Sequence, residues 1–350
     1  MIKLVKVFIN GFGNIGRRLA TFIDLDKEIE LVGVAKYSTD VRAKEAISKG
    51  YNIYIPKNLK KAFDDKKIEY AGYIEDGVRK SELIVDAAKE GFGYENKQKI
   101  YLPMKKKAIF QGGEKREGKL SVADMIHNSR VNYEEAKSKL YVIQGSCNVS
   151  GMGRIMQPMI EKFGNSILRY DVTLIRRWAD LEDSKEIKDS IEWDKHPHHQ
   201  NDVKNFLPKV NLYVEAFKVP SRMMHVHQMF IRFKNKAPSK DKILELYEKE
   251  FGVAILKSAK GSADVRKKAM DLGFIHGDTN MVHIHEDLVR IQDDILKFSY
   301  SDDQTGMVIP ENHLLIQAMI SKKPLSEALN HTDLIFKMTK RKNILQDEFK

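Results

Sequence analysis

The sequence predicts an α/β protein in two parts: a doubly wound parallel sheet, then an α+β domain on a mostly antiparallel sheet. Three observations predict this. Across the first 145 residues, short apolar runs alternate with polar segments of helical spacing, as when parallel strands are buried on both faces between helices. After Cys147 the apolar runs lengthen and take period two, as antiparallel strands with one covered face do. A glycine-rich turn, Gly11-Phe12-Gly13-Asn14-Ile15-Gly16, separates the first strand pattern from the first helix pattern.

The elements follow in order. Met1 to Val7 runs straight into a strand over Val5 to Asn10, without the charged start, apolar stretch and small-residue cleavage site of a signal peptide. Ile15 to Ile23 reads as a helix. Further strands are expected at Leu31 to Ala35, Asn52 to Ile55, Leu83 to Ala87, Ala108 to Phe110 and Leu140 to Ile143. Gly151 to Phe163 is helical, with Ile155, Met159 and Ile160 on one side. Long strands follow at Leu168 to Arg176, Leu212 to Phe217 and Met223 to Phe233, then helices at Lys240 to Phe251 and Ala263 to Leu272. The tail from Pro310 reads as helix, with the proline in its first turn. The change of strand style puts the domain boundary near Cys147: residues 1–146 with a returning 311–350 form one domain, and 147–310 the other.

The chain of 350 residues, 42% apolar, is long enough for two cores. It has no apolar run of about 18 residues, so no membrane partner is expected. A single cysteine cannot form an intrachain disulfide, which points to a reducing cytoplasm. The net charge of +11 suits anionic ligands or a lysine-rich solvated surface. The basic runs Lys105-Lys106-Lys107 and Lys340-Arg341-Lys342 are short and accompany no nucleic-acid module, so no specific nucleic-acid partner is expected.

The Gly11-x-Gly13-x-x-Gly16 loop has the context a dinucleotide needs. The first glycine allows a tight turn, the second lets backbone approach a pyrophosphate, and the third lets helix and strand pack closely. An NAD-specific loop carries an acid about 20 residues on, at the end of the second strand. That end here reads Ala35-Lys36-Tyr37-Ser38. Lys36 is therefore either a reader of a 2′-phosphate, giving NADP preference or dual specificity, or a solvated side chain.

Cys147, in Gly145-Ser146-Cys147-Asn148, is expected where the sixth strand ends and a helix begins. A helix N-terminus lowers a thiol's pKa and makes a nucleophile. In Met223-Met224-His225-Val226-His227 the two histidines alternate, so they share a strand face. They could be an acid/base pair or metal ligands. His196-Pro197-His198-His199 and His283-Ile284-His285 keep a metal site open as an alternative. No carboxylate joins these histidines in a recognised metal motif, and a metal site would leave the thiol and the loop unexplained.

These residues resemble the archaeal (type II) glyceraldehyde-3-phosphate dehydrogenases over nearly the whole length. The matching pieces are Asn10 to Gly16, Phe110-Gln111-Gly112-Gly113-Glu114-Lys115, Ser146-Cys147-Asn148, Ile175-Arg176-Arg177 with Ala179-Asp180, His198-His199, Met224 to His227, and Val308-Ile309-Pro310-Glu311-Asn312. The resemblance implies a Rossmann domain plus a catalytic domain, and phosphorylating oxidation of glyceraldehyde 3-phosphate with inorganic phosphate and NADP or NAD. The reaction would be reversible, in glycolysis or gluconeogenesis, in a homotetramer. It implies Cys147 as nucleophile and His225 as its acid/base partner. Asn14, Ile15, Gly113, Arg177 and Gln304 would line the cofactor site. Ser146, Asn148, His199, Gln200 and Arg176 would hold the phosphorylated aldehyde.

The chain departs from the family pattern at Val149-Ser150, at Pro220-Ser221-Arg222-Met223, at Asp86-Ala87-Ala88-Lys89 and at Asp303-Gln304-Thr305-Gly306. Arg222 adds a charge near the expected site. Related semialdehyde and acyl-phosphate dehydrogenases share the loop and the thiol. A metallohydrolase using His225 and His227 with His283 and His285 is the reading from another class.

Overall fold

The computed structural model describes residues 4–350; Met1, Ile2 and Lys3, read above as the lead-in to the first strand, lie outside them. The chain divides into two compact units, residues 1–146 with 311–336, and residues 147–310 with 337–350. Among the described residues no helix is long and apolar enough to cross a membrane.

The first unit opens with β1 (Val5–Asn10), α1 (Asn14–Leu25), β2 (Ile29–Ala35) and α2 (Val41–Ser48). It continues through β3 (Ile53–Ile55), α3 (Lys60–Asp65), β4 (Gly72–Tyr73), α4 (Ile74–Lys80), β5 (Leu83–Asp86) and α5 (Gly93–Asn96). Then come β6 (Lys107–Gln111), β7 (Ile126–His127), α6 (Ser129–Ala136) and β8 (Tyr141–Gln144). The eight strands form one sheet in the order β4-β3-β2-β1-β5-β6-β8-β7. Every pairing in it is parallel. Val7, Phe8, Ile9, Ile84, Val85, Ile109 and Val142 are wholly buried, as strands covered on both faces must be. The order reverses between β1 and β5, and such a switch point opens a crevice at the carboxyl ends of the strands.

The second unit begins with α7 (Cys147–Phe163), β9 (Ile167–Arg177), β10 (Glu192–Trp193), α8 (His199–Phe206), β11 (Leu212–Val219) and β12 (His225–Phe233). It continues with α9 (Lys240–Glu248), β13 (Val253–Leu256), α10 (Ser262–Asp271), β14 (Val282–His285), β15 (Arg290–Gln292) and β16 (Ile295–Asp302). The sheet runs β10-β11-β9-β12-β16-β14-β13, with β15 on β16. Five of its pairings are antiparallel; β9 with β11 and β13 with β14 are parallel. The burial of β12 alternates along its length, with the side of His225, His227, Met229, Ile231 and Phe233 buried. The expected fold class is therefore the observed one.

Three further helices close the chain: α11 (Gln304–Ile316), α12 (Leu325–Phe336) and α13 (Met338–Glu348). Two expectations are corrected here. Pro310 lies inside α11 rather than in its first turn, because the helix starts at Gln304. Residues 337–350 group with the second unit, where the sequence reading put them with the first. Within the first unit, the Glu311 carboxylate accepts from the Ser129 N–H at 2.9 Å and from its hydroxyl at 2.8 Å. Asn312 and Gln111 exchange amide hydrogen bonds at 2.9 and 3.1 Å. The Pro310-Glu311-Asn312 motif thus ties its segment to β6 and α6.

Candidate functional site

The glycine-rich loop follows β1 at the switch point of the parallel sheet. Gly11 has φ +125°, a conformation open to glycine, and a Cβ there would lie 2.8 Å from the Ala88 nitrogen in the turn after β5. Gly16 packs closely too, its Cβ position 3.3 Å from Ile9 Cγ2. A Cβ on Gly13, by contrast, would meet nothing outside its chain neighbours nearer than Arg42 Nη1 at 3.9 Å. No side chain caps α1 at Gly13. Open space over uncapped N–H groups at a helix start fits a dinucleotide pyrophosphate. Asn14 and Ile15 begin the helix.

The β2–α2 turn differs from the expectation for Lys36. The side chain is buried, and its Nζ sits 2.8 Å from Asp40 Oδ1. Asp40 caps α2, accepting from the Arg42 and Ala43 N–H groups. Lys36 is neither solvated nor open to a ligand. The sequence hid this because the pairing depends on the turn folding back on itself.

Gly113, the other first-unit residue expected at the cofactor, has φ +114° and lies near Glu90. Gly112 beside it is fixed by space: a Cβ would lie 2.6 Å from the Ser146 nitrogen. The chain entering the thiol segment passes directly over it.

In the second unit Cys147 is the first residue of α7, reached after β8, which is the eighth strand in chain order rather than the sixth. Two short strands, β4 and β7, account for the difference. Taken as a whole residue, Cys147 is half-buried. Its sulfur, a ring nitrogen of His225 and a carboxylate oxygen of Asp302 all lie within 4.8 Å of one another. Asp302 stands directly opposite His225 across the β12–β16 ladder. Gly151, one turn into α7, makes room for it: a Cβ there would lie 3.1 Å from Asp302 Oδ2. Neither Asp302 oxygen has a hydrogen-bond partner, and the residue is wholly buried.

These surroundings reverse the electrostatic expectation. Burial pushes the Cys147 thiol well up, and the Asp302 carboxylate adds to the shift, outweighing the Arg177 charge and the backbone. Asp302 is itself raised well above the usual carboxylate range, by burial and by neighbouring Asp303. A helix start favours a thiolate, but removal from water beside a carboxyl group dominates here.

His225 is held far below the ordinary histidine range by burial and by the Arg177 charge, so it is neutral. The backbone N–H of Arg177 donates to its Nδ1 at 3.2 Å. That bond makes Nδ1 the acceptor and leaves the ring proton on Nε2. His227, on the same face with its ring 6.4 Å from that of His225, is lowered to about 3 by burial. Its Nε2 lies 2.9 Å from Asn148 Oδ1, and Asn148 Nδ2 lies 3.3 Å from His199 Nε2. Asn148 thereby links His227 to His199, the histidine expected at the substrate. The outer His198 stacks on His199 at 4.2 Å and pairs with Asp202.

The buried nitrogens of this unit that lack a hydrogen-bond partner include Arg176 Nε, Arg177 Nε and His199 Nδ1. The two arginines are otherwise anchored, Arg176 to Asp194 at 3.3 Å and Arg177 to Asp180. Asp180 also accepts from the Thr305 hydroxyl at 2.9 Å. Unpaired donors on strongly cationic or imidazole groups suit an anion. Gln200 turns its oxygen to the Val214 N–H at 3.1 Å, so its carbonyl end is spent on β11. Gln304 is buried at the start of α11 with its oxygen unpartnered. Arg222 adds no loose charge: it donates to the carbonyls of Asp180, Asp183 and Lys185 and holds that loop.

The other histidine pair does not join the site. His283 and His285 both face the Ser301 hydroxyl, at 3.3 and 3.1 Å. Among the described residues the groups spaced to hold a metal are Asp26-His313-His331 and Cys147-His225-Asp302, so the four-histidine set of the alternative metallohydrolase reading is not assembled. Asp302 escaped the sequence reading. The alternation of Phe298, Tyr300 and Asp302, all wholly buried on β16, was the signal that could have found it.

No family model matches the chain. It is similar over almost its full length to proteins named glyceraldehyde-3-phosphate dehydrogenase. The one from Pyrobaculum calidifontis is 32% identical over 345 residues, 96% of this chain and 98% of the relative. That from Sulfolobus acidocaldarius is 35% identical over 351 residues, 97% and 99% of the two chains. That from Archaeoglobus fulgidus is 34% identical over 338 residues, 94% and 96%. With an all-parallel nucleotide-binding sheet, a second mixed sheet and a thiol–imidazole site, the chain belongs to the archaeal glyceraldehyde-3-phosphate dehydrogenase family of oxidoreductases.

Proposed function

We propose that this protein oxidises D-glyceraldehyde 3-phosphate and phosphorylates it to 1,3-bisphosphoglycerate, reversibly, with NADP or NAD. The first unit would hold the cofactor and the second would carry the chemistry. The observation that carries the reading is the Cys147 thiol with the His225 imidazole and the Asp302 carboxyl within 4.8 Å, in a unit that keeps unpaired nitrogens on Arg176, Arg177 and His199. A phosphorylated aldehyde needs that combination: a nucleophile for the carbonyl carbon and donors for the phosphate.

The Gly11–Gly16 loop, with Asn14 and Ile15, would hold the dinucleotide phosphates, and Gly113 in the first unit and Arg177 and Gln304 in the second are the other residues assigned to the cofactor. The bound nicotinamide supplies the hydride acceptor. The thiol gives its proton to solvent and the thiolate adds to the aldehyde carbon: a carbon–sulfur bond forms, the carbonyl π bond breaks, and the new oxygen takes the Nε2 proton of His225. Neutral His225 presents Nε2–H toward the new oxygen and then, once that proton is given up, can accept the hydroxyl proton as the thioester forms. Inorganic phosphate attacks the thioester, the carbon–sulfur bond breaks, and the thiolate is released. Ser146, Asn148, His199, Gln200 and Arg176 would position the substrate and the phosphate.

The test is reduction of NADP and of NAD with glyceraldehyde 3-phosphate, with and without inorganic phosphate, on metal-stripped protein. Phosphate-dependent reduction supports the reading. Reduction indifferent to phosphate makes the enzyme non-phosphorylating. No reduction with either cofactor overturns it.

A further inference from the structure

We propose that Arg42, in the first turn of α2, reads the 2′-phosphate of an NADP-type dinucleotide, the role the sequence pattern suggests for Lys36. This rests on the cofactor reading above and names its specificity determinant.

The polar groups at the end of β2 are already engaged. Lys36 Nζ is spent on Asp40 at 2.8 Å. Asp40 accepts from the Ser38 hydroxyl at 2.7 Å as well as from the two N–H groups it caps, so it cannot serve as the acid that receives a ribose hydroxyl in NAD enzymes. The Tyr37 hydroxyl donates to Asn10 Oδ1 at 2.8 Å. The turn is pinned at three places, and none of these groups is left to bind a cofactor.

Arg42 differs. Its side chain crosses back from α2 to the start of α1, where Nη2 donates to Asn14 Oδ1 at 2.6 Å. Its Nη1 is the atom nearest the open space above Gly13, at 3.9 Å from the Cβ position. The neighbouring cation, Arg17, is paired with Glu45 at 3.4 Å. Among the described residues Arg42 forms no ion pair, although it is half-buried. A guanidinium fixed by one hydrogen bond, lacking a carboxylate and lying between the end of β2 and the phosphate loop, is placed for a dianion on the adenosine ribose. Its planar fork suits phosphate better than an ammonium would.

The experiment is calorimetric binding of ADP-ribose and of 2′-phospho-ADP-ribose to the full chain, for the wild type, Arg42→Gln, Arg42→Lys and Lys36→Gln. The wild type is expected to bind the 2′-phosphate form about ten- to a hundredfold more tightly, the scale of a few charge-assisted hydrogen bonds. Arg42→Gln should lose that preference while ADP-ribose binding persists, which shows that the loop remains folded. Arg42→Lys should keep part of it, and Lys36→Gln all of it. A wild type without preference, an Arg42→Gln variant that retains it, or a Lys36→Gln variant that loses it overturns the proposal. If neither ligand binds the wild type, the cofactor reading itself fails and takes the proposal with it.

Discussion

Asp302 and His225 face each other directly across adjacent antiparallel strands, and both reach the Cys147 sulfur within 4.8 Å. The carboxyl group therefore shares a water-poor site with the thiol, and ionising both costs more than ionising either. Replacing Asp302 by Asn should move the Cys147 titration to lower pH and speed its alkylation by iodoacetamide near neutrality. An unchanged pH midpoint for alkylation would show that Asp302 does not govern the thiol.

On the proposed mechanism, changing His225 to Asn removes the proton carrier beside the sulfur. Acylation should slow by about a hundredfold or more, the usual scale for general acid–base catalysis. Because His225 is held neutral far below the ordinary range, the wild-type rate should show no loss attributable to its protonation as the pH falls to about 6. Stopped-flow measurement of the first turnover checks both points. If His227→Asn alone slows the step, the other imidazole is the proton carrier.

The long strands and the loop were legible because each carries its own pattern. β9, β11 and β12 are eight residues or longer and carry alternating stretches, which in β12 run its whole length, and Gly11, Gly13 and Gly16 stand between a strand and a helix. β4 and β7, two residues each, carry no periodicity to read. The same holds for relationships made only by folding. The Lys36–Asp40 pair, the approach of Asp302 to the thiol and the turn of Arg222 toward three loop carbonyls depend on where segments meet. The thiol illustrates the physical limit: local sequence argues for a lowered pKa from a helix start, while burial, a tertiary property, raises it.

Gly112 is held without a side chain by the backbone of Ser146, whose nitrogen would lie 2.6 Å from a Cβ. Gly112→Ala should displace the segment leading into Cys147, lowering stability by about 1–3 kcal/mol, as overpacking does, and reducing turnover. Thermal unfolding and steady-state rates measured together test this; a variant matching the wild type in both contradicts it.

Several histidines are buried and neutral: His227 and His283 are lowered to about 3 and His285 to about 4, each by burial. Their folded values lie below the unfolded value of about 6.5, so unfolding takes up protons once the pH drops below that point. Stability is full above it and falls toward the folded values. The slope is at most about 1.4 kcal/mol per pH unit for each histidine. Urea unfolding at pH values of about 7.5, 6.5 and 5.5 should show stability level across the first interval and falling across the second. A level profile across both contradicts the burial of neutral imidazoles.

On the proposed mechanism Cys147 carries the acyl group. The most direct measurement is mass spectrometry of the protein mixed with glyceraldehyde 3-phosphate and oxidised cofactor in the absence of phosphate. A phosphoglyceroyl adduct is expected on the peptide containing Cys147, discharged on adding inorganic phosphate and absent in Cys147→Ser. Turnover in Cys147→Ser equal to the wild type, or an adduct on another residue, would contradict it.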